Sequence, residues 1–111
     1  MRREIDKAEW GPFLDSLSRI IVNAGEAAKN GSLLVVRPEV RLAPVIGVTY
    51  DPKDDEVDIA FETIDHLVQK PVQIIVHEST DGLKAIEVVD AEGISHVFRP
   101  CVPLPVPDEA P

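Results

Sequence analysis

The chain has one cysteine, Cys101, so no disulfide can form within it. Cysteine used this sparingly suits a reducing compartment. No apolar run approaches the roughly 18 residues that span a bilayer. The opening MRREIDKAEW is charged and lacks an apolar segment of signal-peptide length. These absences lead us to expect a cytoplasmic protein. Positive charge is short in one half: residues 1–41 carry a net +1 and residues 42–111 a net −10. An acidic half repels phosphate backbones and anionic lipid surfaces, so neither nucleic acid nor membrane is an expected partner.

Motifs with built-in chemistry are also missing. No GxGxxG, GxxxxGK[ST] or GxSxG occurs. No Cys/His pair has zinc spacing. The acidic run Asp51, Asp54, Asp55, Glu56 and Asp58 lacks the D-x-D-x-D-G order of a calcium loop, and Pro52 and Lys53 interrupt it. A solvated hairpin tip accounts for that run. We therefore assign no catalytic residue, no metal site and no cofactor from sequence. The 111 residues fit one domain, which at this size buries roughly 65% of its unfolded surface.

What the chain does have is turn grammar. Ser79-Thr80-Asp81-Gly82 and Asp90-Ala91-Glu92-Gly93 each begin with Ser or Asp and end with Gly, between β-branched and aliphatic runs. Both read as three-residue hairpin loops with a bulge at the glycine. Strands 72–79, 83–90 and 94–99 then form a meander. Upstream, Val45–Tyr50 and Glu56–Phe61 flank an Asp51-Pro52 turn. Pairing Tyr50 with Val57 sets Val48 opposite Ile59 and Ile46 opposite Phe61, which leaves one face wholly apolar. Leu33–Val36 is a short strand that Pro38 ends or puts at an edge. Residues 39–44 are irregular or briefly extended, and 63–70 read as a turn and bend before Pro71.

Trp10, Phe13, Leu14, Leu17, Ile20, Ile21 and Ala24 repeat at helical spacing. Asp6 and Glu9 resemble a capping box, which places a helix over about 7–23. Pro12 conflicts with that start, because inside a helix it removes a hydrogen bond. The alternative is a short turn before a helix starting near Pro12. The helix ends near Asn23-Ala24-Gly25 or continues weakly to a stop at Asn30-Gly31. Residues 101–111 continue five-proline sequence from Pro100 and should form a flexible tail. Pro100-x-x-Pro103 matches a bare PxxP pattern with no basic residue after it to orient a docking.

Register sorts the three histidines. His96 joins the apolar side with Ile74, Val88, Val76, Ile86 and Phe98. His77 falls on the opposite side with Ala85 and Arg99, so His77 and His96 do not share a site. His66 lies in the irregular segment beside Asp65 and is the strongest of the three for a ligand contact or proton chemistry. A structural role explains each histidine as well. His66, Asp65 and Trp10 are the candidate ligand-binding residues.

The order of several stretches resembles a family of small bacterial proteins known only as a domain of unknown function. The stretches are Arg3-Glu4-Ile5, Glu9-Trp10, Phe13-Leu14 and Ser18-Arg19; Val45-Ile46-Gly47-Val48-Thr49-Tyr50-Asp51; His66-Leu67-Val68 leading to Pro71; and Ala85-Ile86-Glu87-Val88 with the turn from Asp90 to Gly93. They span about residues 3–100. The chain departs from the family in the alanine-rich linker from Val22 to Ser32 and in the proline tail. The resemblance implies no activity and transfers no site residue, although it draws attention to Trp10 and His66.

The expected architecture is α+β: one N-terminal helix packed on a five- or six-stranded, mostly antiparallel meander sheet, with twist that could curl it toward an open barrel. Residues 1–100 form the domain and 101–111 the tail. Three functions stay open. The first is a non-catalytic interaction or accessory module with a protein partner or as a homodimer, using the helix surface or an edge strand beginning near Leu33. The second is a small-molecule-binding domain with a pocket between helix and sheet near Trp10 and His66. The third is a small hydrolase or isomerase using His66 with Asp65 or a nearby carboxylate.

Overall fold

The computed structural model describes residues 1–26 and 32–107. The Asn30-Gly31 stop and the end of the proline tail lie outside the described residues. Chain order is β1 (Arg2–Glu4), a single 3-10 turn (Lys7–Glu9), α1 (Trp10–Ala24), β2 (Leu33–Val36), β3 (Glu39–Leu42), β4 (Val45–Asp51), β5 (Glu56–Phe61), β6 (Asp65–Gln69), β7 (Pro71–Ser79), β8 (Gly82–Asp90) and β9 (Ser95–Arg99). The strands form a six-stranded sheet, ordered β1-β7-β8-β9-β2-β3, and a three-stranded sheet, β4-β5-β6. All pairings are antiparallel, and neither sheet closes into a barrel. The α+β class and the antiparallel meander are as expected. The division into two sheets was not foreseen.

The helix starts at Trp10, later than the capping-box reading placed it. Asp6 makes no side-chain cap; instead Glu9 N–H donates to the Asp6 carbonyl and closes the 3-10 turn. Pro12 is then the third helical residue, where a missing N–H is one of the four that a helix start cannot bond internally. Gly25, at φ +59°, ends the helix, and its N–H donates to the Ile21 and Val22 carbonyls. Trp10, Phe13, Leu14, Leu17 and Ile21 form the buried stripe.

That stripe shares one core with the inner faces of both sheets. Val45 and Val48 come from β4, Val57, Ile59 and Phe61 from β5, Val68 from β6, Ile74 and Val76 from β7, Ile86 and Val88 from β8, and Phe98 from β9. Helix α1 packs chiefly on β4. There the Ser18 hydroxyl donates to the Val48 carbonyl at 2.6 Å and accepts the Val48 N–H at 2.9 Å. One side chain thereby satisfies both backbone groups on the side of β4 away from β5, which blunts that edge.

The meander register is the one deduced from the turns for His77–Ala85, Val76–Ile86, Ile74–Val88, Val88–His96 and Ile86–Phe98. The second turn forms as expected: Gly93 has φ +83° and Asp90 N–H donates to the Ile94 carbonyl. The first turn is tighter. Ser79 pairs Gly82 and Glu78 pairs Leu83, with an irregularity at His77/Glu78 that restores the downstream register.

Four local expectations are corrected. Residues 65–69 form a strand, β6, because β5 offers a partner edge from Glu56 to Ala60. A bulge at Ile46 sets Val45, not Ile46, opposite Phe61 and leaves Ile46 exposed. The edge strand placed near Leu33 is interior: β2 sits between β9 and β3, and β3 is the edge. Charged Arg2–Glu4, unread as a strand, pairs β7 as the other edge. In the tail, Leu104 is buried and forms a two-way backbone bridge with Leu83, at 2.7 and 3.1 Å.

Candidate functional site

Two clusters of polar side chains lie on opposite sides of the six-stranded sheet. The first joins the two sheets. His96, directed inward by the β8–β9 register, approaches β6 and meets His66. Asp90 Oδ2 lies 3.0 Å from His96 Nε2, and His96 Nδ1 lies 2.8 Å from His66 Nε2. The turn fixes Asp90: its Oδ1 accepts the Glu92 and Ile94 N–H groups at 2.9 and 3.0 Å. An ionised carboxylate only accepts, so His96 donates from Nε2; with both imidazoles neutral, His96 then accepts at Nδ1 and His66 donates from Nε2. Nδ1 of His66 is then left with its lone pair. Burial holds His66 below the ordinary histidine range, and His96 and Arg41 push it the same way. The hydrogen bond from His96 and those from the turn backbone hold Asp90 below the usual carboxylate range.

His66 lines a cavity of about 140 Å³ with Leu34, Arg41, Phe61 and Ile64 among its walls. Asp65, its sequence neighbour, points to the other face of β6. There it sits diagonally across from Asp58, whose direct partner is Leu67. Asp58 is pushed up to about 6 by burial first and by Asp65 second, and its Oδ1 is buried without a hydrogen-bond partner among the described residues. Trp10 is 2% exposed. Its indole N–H donates to the Ile5 carbonyl at 2.9 Å, and its ring meets Tyr50 edge-on at 5.2 Å. The cavity that His66 lines does not include Trp10. The structure therefore brings His66 to His96 and Asp90, and sends Asp65 and Trp10 elsewhere.

The second cluster is on the outer face of the six-stranded sheet. His77 Nε2 lies 2.9 Å from Glu87 Oε1, and the Ser95 hydroxyl donates to Glu87 Oε2 at 2.6 Å. The Ser95 bond, reinforced by His77, holds Glu87 below the usual carboxylate range. Here the carboxylate sits between serine and histidine. A nucleophilic triad needs histidine in the middle, so this arrangement cannot activate Ser95. The cluster lies in an open depression of about 600 Å³ that Arg37, Lys84 and Arg99 also line. Sequence reasoning put His77, Ala85 and Arg99 on one side but did not bring Arg37 or Ser95 to them. Alternation along β8 and β9 carried part of that signal; the return of β2 beside β9 did not show.

Among the described residues, no group of three or more His, Cys, Asp or Glu side chains is placed to hold a metal ion. No helix among them is long and apolar enough to cross a membrane.

Residues 1–109 match a family described as a family of unknown function (DUF5335), and the chain belongs to that family. It is 38% identical over 112 residues to an uncharacterised protein of Aquifex aeolicus, an alignment covering 93% of this chain and 96% of the relative. No solved structure matches.

Proposed function

We propose that this protein is a non-catalytic interaction module that works by strand pairing at the β3 edge, with a second copy of the chain as the occupant. The observation that carries this is the state of β3. Among the described residues it pairs only with β2, and all four of its residues are exposed, with Val40 at 61% and Leu42 at 73%. An unpaired edge bearing apolar side chains is a template for another strand. The sequence of β3 complements itself. In an antiparallel pairing centred on Val40, each Glu39 faces the Arg41 of the other copy and the two Val40 side chains meet. Such cross-strand pairs contribute roughly 0.2–1 kcal/mol each. With only four residues per edge, the dimer should be weak, with Kd on the order of 10–100 µM.

Sedimentation equilibrium over a concentration series tests this. Glu39→Arg and Arg41→Glu should each give monomer, and the double exchange should restore the dimer because the opposed charges are swapped together. A wild-type chain that stays monomeric at millimolar concentration overturns the reading, as does a double exchange that fails to restore association.

A second reading, small-molecule binding at His66, is supported by the Asp90–His96–His66 chain. That chain orients His66 and leaves Nδ1 as an acceptor at a cavity wall. Metabolite screening by thermal shift tests it, with His66→Ala expected to abolish any stabilisation found.

A further inference from the structure

We propose that the depression on the outer face of the six-stranded sheet is a binding site for a small organic phosphate, gripped by Arg37, Lys84 and Arg99. The chain carries a net charge of −9, yet three cations from separate elements line this one cavity. Arg37 comes from the β2–β3 turn, Lys84 from β8 and Arg99 from the end of β9. Neither Arg37 nor Arg99 makes an ion pair with a described residue, and Lys84 reaches only the exposed Asp81 at 3.9 Å. The one carboxylate among the described residues of the lining, Glu87, is engaged by the Ser95 hydroxyl and His77. Among the described residues, three cations against one carboxylate leave the lining of the cavity with a net positive charge. Guanidinium groups match phosphate in a two-pronged geometry, and a lysine adds a point charge.

The floor supplies the other half of the ligand. Ala85 is buried, and Val35 and Val97, which pair across β2 and β9, are half-buried beside it. About 600 Å³ is within the range of small-molecule pockets, and an apolar floor with a few convergent polar groups is their usual make-up. The ligand this fits has a phosphate at the cationic rim and a flat or apolar body on the valines. A long polyanion is disfavoured, because the acidic remainder of the chain repels the charges that extend beyond the depression.

The test is an amide NMR titration of the full chain with phenyl phosphate, inorganic phosphate and benzoate in parallel. Phenyl phosphate should bind saturably, shifting the amides of Ala85, Glu87, Ser95, Val97 and Arg99. Inorganic phosphate should shift the same amides at higher concentration because it lacks the body that covers the floor. The double variant Arg37→Gln/Arg99→Gln should weaken phenyl phosphate about tenfold or more, since hydrogen bonds to charged groups are being lost. Arg19→Gln removes one exposed charge from α1 and should leave binding within about twofold. The proposal fails if wild-type amides at this face show no saturable shift up to about 10 mM phenyl phosphate. It fails equally if Arg19→Gln weakens binding as much as the double variant does. Benzoate binding more tightly than phenyl phosphate overturns the assignment to phosphate. Wild-type shift mapping decides the matter even if the double variant does not fold.

Discussion

Replacing Asp58 by Asn should stabilise the protein at neutral pH and do little in acid. Asp58 sits on the outer face of β5, with Glu56 two residues away on the same strand and Asp65 diagonal on β6. Its carboxyl is pushed up to about 6, chiefly by burial and then by the Asp65 charge. An unfolded aspartate titrates near ~3.9. The folded chain therefore binds the proton more tightly than the unfolded chain does. The stability linked to that proton is fully present below the unfolded pKa and is lost as pH rises through about 6. A shift of this size corresponds to at most roughly 3 kcal/mol of cost at pH 7.5. Asp58 is only partly buried, and screening by solvent reduces that to about 1 kcal/mol. Asparagine keeps the shape, drops the charge and avoids that cost. The expected gain at pH 7.5 is about 1 kcal/mol, or a Tm rise of roughly 4–8 °C, shrinking to a few tenths near pH 4. Urea unfolding at the two pH values, followed by the fluorescence of the single buried Trp10, measures it. Asp65→Asn should give a smaller gain, because burial outranks the Asp65 charge as the cause. A destabilised Asp58→Asn at pH 7.5, or equal gains at both pH values, would refute the reasoning.

Two further substitutions probe the frame around the sites. Ser18→Ala leaves both the N–H and the carbonyl of Val48 without their partner and should cost about 1–3 kcal/mol in urea unfolding; a neutral result would mean water replaces the hydroxyl. Gly82→Ala places a Cβ 2.4 Å from the Leu104 carbonyl oxygen at a residue with φ +125°. It should cost roughly 1–3 kcal/mol and raise hydrogen exchange selectively at the Leu83 and Leu104 amides, and protection unchanged at both would count against the docked tail.

The contrast between the two turns shows where local sequence stops being sufficient. Asp90–Gly93 is closed by its own residues: the Asp90 carboxylate accepts two turn N–H groups and Gly93 takes positive φ. Everything needed is within five residues, and the register follows. Ser79–Gly82 follows the same pattern, and the Ser79 hydroxyl likewise accepts the Asp81 N–H. Yet Leu83 is also bridged to Leu104, twenty-one positions on, and Gly82 adopts φ +125° against that strand of tail. No local rule reports a partner at that distance. The same reason hides β1 and β6. Neither has a composition that demands a strand; each is held by an edge that the rest of the fold presents.

The sites divide along the same line. Sequence alternation placed His96 inward and His77 outward, because parity within a hairpin is local. What it could not supply was the neighbour across a gap. His66 meets His96 only because the three-stranded sheet lies over the inner face of the six-stranded one, and Arg37 lines the same depression as Arg99 only because β2 returns beside β9. Separating the two histidines also separates their chemistries. The inner chain of Asp90, His96 and His66 is shielded, and its hydrogen bonds run in one direction, toward a small cavity. The outer cluster is open, and its one carboxylate is spent on Ser95 and His77. That leaves Arg37 and Arg99 without an ion-pair partner among the described residues. In a chain with a large excess of acidic residues, three cations lining one depression make it a local exception to the overall charge, where a small anion would be met. The strand edge at β3 borders this face through Val40 and Val35, so partner and ligand would approach the same side of one sheet.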